Sequence, residues 1–298
     1  MDIRNMRYVL AVMQTDSFTQ AAHQLFLSPQ ALGKAIRSVE DELGAPLFVR
    51  GGRTLVPTAF GRAFAREAAT CVDTFDKACN RIGNLARQAH GSVCIACAYG
   101  VPNALGYGSP DVLRQMLKSH TGLEYDIAFD ELPDLLAERE LDESVCDLGL
   151  LMGLPEHVEN YESVLLRRHR LVAVLAAGHP LTERATLSVR DLAQWPVASR
   201  NRYYRSFHVL ENCARCLQIT LNYAICSPDE TLWRQKVLEG AVGIGVSFLQ
   251  GNVDSRFVTR PFDEKDMAFS IYLVRRRDDT VSDAVAALWN TIASQATP

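Results

Sequence analysis

The chain has 298 residues, 48% apolar and 22% charged, a composition that suits a soluble globular protein of two or three domains. It has no run of about 18 apolar residues that could cross a membrane, and its opening MDIRNMRYVL lacks the apolar segment of a secretion signal. The net charge of −4 is unevenly spread: the first 90 residues carry +3 and the remaining 208 carry −7, a faintly basic head on an acidic body.

Ile3, Met6, Leu10 and Met13 are spaced as one apolar helical stripe. Ser17-Phe18-Thr19-Gln20 has capping-box form, and Phe18, Ala21, Ala22 and Leu25 carry a second helix to about Phe26. Only Leu27 and Ser28 separate it from a third, which Ser28 and Pro29 start and Gly44 ends. In that helix Leu32, Ala35, Ile36, Val39 and Leu43 share one face, while Gln30, Gly33, Lys34 and Arg37 share the opposite one. The polar face holds no acid; Glu40, Asp41 and Glu42 come at the far end. LFVRGGRTLVPT follows as a hairpin around Gly51-Gly52, with Arg50 and Arg53 at its tip. Two helices joined by a tight turn and followed by a basic hairpin form a winged helix-turn-helix. Glutamine suits adenine edges and Lys or Arg suits guanine or phosphate, so this face is expected to enter a major groove. A solvated helical subdomain is the plainer alternative for the helix alone.

The stretch SFTQAAHQLFLSPQALGKAIRSVEDELGAPLFVRGGRTLVPTAFG resembles the DNA-binding head of the LysR-type transcriptional regulators. Where that family usually has Ser-Gln-Pro-Ala-Leu-Ser, this chain has Ser28-Pro29-Gln30-Ala31-Leu32-Gly33. The change removes a hydroxyl that the family often sets against DNA and leaves the operator sequence open. The expected DNA contacts are Ser28, Pro29, Gln30, Gly33, Lys34, Arg37, Arg50 and Arg53.

Beyond a cap at Thr58, the positions Phe64, Ala68, Cys71, Phe75, Ala78, Ile82, Leu85 and Ala89 alternate in steps of four and three. That heptad seam predicts a helix of roughly 32 residues, about 48 Å long, ending at Gly91. Its strict 3.5 period favours a second copy of the helix over packing on its own domain. A homodimer through this helix, built up to a homotetramer, is expected. The resemblance likewise makes it the dimerising linker.

SVCIACA (92–98), LEYDIAF (123–129) and CDLGLLM (146–152) are apolar strands separated by helical patterns after Pro110 and Pro133. RLVAVLA (170–176), PVAS (196–199), LNYAIC (221–226), GIGVSF (243–248) and AFSIYLV (268–274) extend the alternation, and SDAVAALWNTIA closes it. The resemblance implies a two-lobed effector domain of the periplasmic-binding-protein type 2 fold. The fold class is thus α/β: a winged helix-turn-helix over residues 1–58, a linker helix over 59–90, and an effector domain over 91–298. Lobe I would hold 91–163 and 266–298, and lobe II 164–265. Ligands in such sheets lie beyond the carboxyl ends of strands. Those positions are Tyr99, Gly100, Val101, Pro102 and Asn103; Asp130, Glu131 and Leu132; Ser199, Arg200, Asn201, Tyr203 and Tyr204; and Val246, Ser247 and Phe248. Tyrosines with Arg200 suggest a small organic acid, whereas Glu131 would favour an amine or a hydroxyl.

Cys94/Cys97 and Cys213/Cys216 have Cys-x-x-Cys spacing. Zinc fails for the first pair, because residues three apart on a strand point to opposite faces. The second lies on a helix, where both thiols could share a face and act as a redox switch; buried apolar cysteines are the commoner reading. Gly240, Gly243 and Gly245 follow a helix and are in the wrong order for a dinucleotide fingerprint. No catalytic motif, metal ligand set or cofactor signature is present. The expectation is a cytoplasmic, non-enzymatic regulator with reduced cysteines, whose partners are double-stranded DNA carrying an interrupted palindrome and a small-molecule effector. Two alternatives stay open: a thiol-redox-sensing regulator of the same family, and a binding protein or enzyme with an incidental helical head.

Overall fold

The computed structural model describes residues 1–51, 54–247, 254–277 and 281–296, without the side chains of residues 50, 51 and 54. The chain forms two compact units, Met1–Ile82 and Gly83–Pro298. The expected Arg53 and Phe248 positions, and the side chain of Arg50, lie outside what is described.

The first unit opens with three helices, α1 (Ile3–Thr15), α2 (Phe18–Gln24) and α3 (Pro29–Leu43). The Ser17 hydroxyl accepts from the Gln20 N–H and the Ser28 hydroxyl from the Ala31 N–H, so both hydroxyls cap their helices, Ser17 through one half of the expected capping box. Gly44 ends α3 at φ 72°, the left-handed conformation that glycine adopts without strain. Leu32, Ile36 and Val39 bury the predicted apolar face of α3 against Ala21 and Ala22. In α1 the stripe of Ile3, Met6, Leu10 and Met13 is only half-buried; Val9 and Val12 are the fully enclosed positions. The helix is thus turned relative to the expected stripe, with Val9 and Val12 packed beside Ala21, Ala22, Leu32 and Ile36 in the head core.

Strands β1 (Phe48–Gly51) and β2 (Thr54–Pro57) pair antiparallel, with Gly51 opposite Thr54. The long helix α4 (Ala59–Gln88) follows, 30 residues or about 45 Å. Thr58 caps it, its hydroxyl accepting from the Gly61 N–H at 2.8 Å. Gly61 lies against the Leu47 carbonyl: a Cβ there would fall 2.1 Å from that oxygen, so only glycine lets the helix start this close to the hairpin.

In the second unit a mixed sheet carries both lobes. Strands β3 (Ser92–Ala98), β4 (Asp126–Leu132) and β5 (Leu148–Met152) pair in parallel, flanked by the short α5 (Val101–Ala104), α6 (Pro110–Thr121) and α7 (Asp134–Asp142). Strand β6 (Tyr161–Ala176) is far longer than the predicted 170–176. Its first part pairs with β11 (Ala268–Arg276) as far as Arg170, and from Leu171 on it pairs with the other lobe. The crossover thus falls at residues 170–171 and not near 163. Lobe II adds β7 (Pro196–Ser199), α8 (Arg205–Cys216), β8 (Asn222–Cys226), α9 (Glu230–Leu238), β9 (Val242–Val246) and β10 (Phe257–Pro261). Helix α10 (Asp283–Ala293) packs Leu288 and Ile292 into the main core.

Strand β4 also departs from the prediction. It runs to Leu132, so Asp130, Glu131 and Leu132 belong to the strand and do not follow it. It is the edge strand of its lobe, with one face open to water, and there acids are tolerated. The glycines of β9 have a packing reason. A Cβ on Gly243 would meet the Trp233 ring at 2.5 Å, so the indole seats where that side chain is missing.

Candidate functional site

Each unit presents one candidate surface. On α3, Gln30, Lys34 and Arg37 are exposed along with Ser28 and Pro29, and Gly33 opens onto empty space. The Arg37 Nε donates back to the Gly33 carbonyl at 3.3 Å. Lys34 makes no ion pair among the described residues. The acid Glu40 is turned inward, its Oε1 accepting from the Leu47 and Phe48 N–H groups at 2.7 and 3.1 Å. The face that would meet DNA is therefore basic and amide-bearing, with its nearest acid spent on holding the hairpin.

On α4 the predicted seam divides. Ala68 is 2% exposed and Phe64 packs against the head core, so these two positions serve their own unit. Cys71, Phe75, Ala78, Ile82, Leu85 and Ala89 are exposed, with Ile82 at 68% and Leu85 at 47%. An apolar stripe this open on one helix calls for a covering partner.

In the second unit a cavity of about 1160 Å³ lies between the lobes. Tyr99, Gly100, Asn103, Met152 and Phe269 line it from lobe I. Arg200, Tyr204, Glu230, Trp233, Val246 and Phe257 line it from lobe II. Of the expected effector positions, Tyr99, Gly100, Asn103, Arg200, Tyr204 and Val246 meet at the cavity. The other described positions lie outside its lining. Val101 and Pro102 are buried in the first turn of α5. Glu131 accepts from the Gly100 N–H at 3.4 Å, and Leu132 from the Tyr99 N–H at 3.0 Å. Ser199 is fully buried, and Asn201 accepts from the Tyr203 N–H at 3.0 Å. The Tyr203 carbonyl accepts from the Leu135 N–H at 3.2 Å. Ser247 holds the Arg170 N–H at 3.2 Å.

Arg200 does not reach across to lobe I as a free cation would. Its Nη1 donates to the Pro228 carbonyl at 3.0 Å, its Nη2 pairs with Glu230, and its guanidinium lies 5.6 Å from the Trp233 ring centre and 5.8 Å from that of Tyr204. Arg234 is likewise tied to Glu230 at 2.8 Å. The indole N–H of Trp233 donates to the Ala198 carbonyl at 2.9 Å, which fixes the ring as a platform. Sequence reasoning missed Trp233 and Glu230, although both start the helix beyond the carboxyl end of β8, where the same strand-end rule points. Phe257 was missed with its whole strand.

The lobes are clasped at one edge of the cleft. The Arg205 N–H donates to the Asp134 Oδ2 at 2.9 Å, and the Arg205 guanidinium pairs with Glu138. Asp134 is 1% exposed, and burial raises its carboxyl from 3.8 to about 6, against the lowering effect of the Arg205 N–H.

The cysteine pairs separate as predicted in one case only. Cys94 and Cys97 point to opposite sides of β3, into different apolar clusters. Cys213 is buried while Cys216 is exposed at the end of α8, so the two thiols differ in their access to solvent. Burial raises the Cys213 thiol, which has Glu264 and Asp266 as charged neighbours. No group of three or more metal-ligating side chains occurs among the described residues, and no described helix is long and apolar enough to cross a membrane.

A winged helix-turn-helix joined by a long helix to a two-lobed binding unit defines an effector-responsive DNA-binding regulator. The profile of the bacterial regulatory helix-turn-helix proteins of the lysR family matches residues 3–62, and that of the LysR substrate binding domain matches residues 86–297. The RuBisCO operon transcriptional regulator of Allochromatium vinosum is 25% identical over 99% of this chain and 96% of its own. A probable cat1 operon transcriptional activator of Acinetobacter lwoffii is 30% identical over 65% of this chain and 62% of its own. The crystal structure of full-length CbnR with its target DNA shares the fold at a TM-score of 0.56 and 16% identity, covering 99% of this chain and 100% of that one. The chain belongs to the LysR family, and it is a DNA-binding transcriptional regulator with an effector-binding domain. The family is one of regulators and not of enzymes.

Proposed function

We propose that this regulator is a cytoplasmic homodimer through α4, assembling into a homotetramer, which grips an interrupted palindrome and answers to a small aromatic acid held between its lobes. The observation that carries the ligand reading is the two-sided lining of the cavity, with Tyr99 and Asn103 on one wall and Arg200 and Trp233 on the other. A planar ring fits the aromatic walls, and a carboxylate fits Arg200 by exchanging with Glu230. A ligand touching both lobes has differential affinity for their closed and open arrangements, which is the condition for biasing one of them.

On the DNA side, Gln30, Lys34 and Arg37 face the major groove, with Ser28, Pro29 and Gly33 letting the helix end approach the backbone; Arg50 and Arg53 are proposed as further contacts on their sequence position alone. Cys71, Phe75, Ala78, Ile82 and Leu85 form the seam between two copies of α4. The coupling between cavity and DNA is on the order of 1–3 kcal/mol, so it tunes occupancy or bending. Selection of duplexes from a random pool, followed by footprinting, tests the reading. Two half-sites related by two-fold symmetry are expected; a single asymmetric half-site protected by a monomer would contradict it.

A further inference from the structure

We propose that Cys94 and Cys146 are a reversible dithiol–disulfide pair through which a hydroperoxide acts on the joint between α4 and the ligand-binding unit. They are 52 residues apart in sequence and belong to no shared motif, yet their sulfurs lie 2.8 Å apart. A disulfide needs about 2.05 Å, so the sulfurs close by less than about 1 Å. Cys94 is partly exposed at the end of α4's docking site, whereas Cys146 is buried. Cys94 is therefore the sulfur that a small oxidant reaches, and Cys146 the one that resolves.

The chemistry agrees with that division. The hydrogen bond from Cys146 holds the Cys94 thiol below its ordinary value, opposing burial and Asp147, with Arg87 helping. The same contact and burial push Cys146 up, so Cys94 ionises first. Its thiolate attacks one peroxide oxygen; the O–O bond breaks, and the departing alkoxide takes a proton and leaves as the alcohol. Cys94 is left as a sulfenic acid. The Cys146 sulfur then attacks the Cys94 sulfur, the S–S bond forms, the S–O bond breaks, and the hydroxyl leaves as water with the Cys146 proton. Two thiols lose two electrons and two protons, and the hydroperoxide becomes an alcohol and water. A dithiol reductant reverses the step by exchange.

The position of the pair gives the reaction a consequence. Cys146 sits in the loop 144–147, on which the end of α4 rests. Asn84 Nδ2 donates to the Ser144 carbonyl at 2.9 Å, Arg87 Nη2 to the Val145 carbonyl at 2.9 Å, and Gln88 Nε2 to Asp147 Oδ1 at 2.6 Å. The other Asp147 oxygen accepts from the Cys94 N–H at 2.8 Å, so the loop joins α4 to β3 directly. Ser144 is held at φ 59°, a left-handed conformation that leaves a non-glycine loop little slack. Drawing Cys146 onto Cys94 must move the carbonyls that hold α4.

The test uses the full-length protein with a stoichiometric amount of hydrogen peroxide, followed by thiol counting, peptide mapping and amide exchange. The expected result is the loss of two thiols, restored by dithiothreitol, and a cross-link between tryptic peptides 88–114 and 140–167. Amide exchange over residues 84–90 should change several-fold. Cys94→Ser and Cys146→Ser should each abolish both changes; if Cys146→Ser does not fold, the partly exposed Cys94→Ser decides. Cross-links confined to the exposed Cys71, Cys79, Cys216 and Cys226, or over-oxidation of Cys94 without a bond to Cys146, would overturn the pairing. A Cys94–Cys146 bond that leaves exchange at 84–90 unchanged would overturn the link to α4.

Discussion

The helix face of the head and the cleft of the body both carry arginine, but they hold it in opposite states. On α3 the basic side chains are exposed and the nearby acid, Glu40, is committed to backbone N–H groups. In the cleft, Arg200 and Arg234 are both tied to Glu230 and packed beside aromatic rings. The first surface suits a polyanion that arrives with its own counter-ions and releases them on binding. The second keeps an internal counter-ion that the proposed acid ligand would have to displace, so it would discriminate among anions by shape as well as charge. On the proposed function the difference is useful: strong, weakly selective charge on the face proposed to dock DNA, and a guarded arginine at the proposed ligand site.

Mutations sharpen the contrast in descending order of effect. In the proposed dimer, Ile82→Glu would bury a charge against its symmetry mate, so light scattering should find monomers and gel shift a loss of DNA affinity on the order of 1000-fold as two-site binding disappears. Lys34→Ala combined with Arg37→Ala should cost about 2–6 kcal/mol of DNA affinity, by fluorescence anisotropy, with a shallower salt dependence and no change in ligand binding.

Asp134→Asn addresses the clasp between the lobes. The folded carboxyl is raised from 3.8 to about 6. Below pH ~4 it is protonated in both folded and unfolded chains and costs nothing; above pH ~6 its ionisation in the folded state is a full penalty. The wild type should therefore lose stability relative to Asp134→Asn as pH rises from about 4 to 6, by about 3 kcal/mol for a shift near two pH units. Urea melts across that range read the difference. Glu230→Gln releases Arg200 from its internal partner and should tighten carboxylate binding roughly tenfold in calorimetry. If it weakens binding, Glu230 contacts the ligand itself.

What could be read from the sequence follows the range of the interactions. Ser17, Ser28, Thr58 and Gly44 act within four residues of themselves, and all four terminate helices as expected. The apolar face of α3 is equally local. Strand β6 was cut short because residues 161–170 are stabilised by β11, some hundred residues on, and carry polar side chains on an open face. Strand β10 went unseen because FVTRP is a weak strand pattern made regular by pairing with β6. Arg200 was placed at the cavity by the strand-end rule, but its partner Glu230 starts another helix, so its pairing could not be read from its own loop. The Cys94–Cys146 contact was hidden for the same reason, since parallel pairing of β3 and β5 brings it about.

On the proposed function, cleft and DNA face share a coupling free energy, and coupling is reciprocal. Thermal-shift screening of aromatic carboxylates supplies a ligand, and calorimetry then measures its affinity for the free protein and for the protein saturated with a selected duplex. The two affinities should differ by about 5–150-fold, and the difference should vanish in Arg200→Ala while DNA affinity without ligand stays as in the wild type. Equal affinities with and without DNA in the wild-type protein would contradict it.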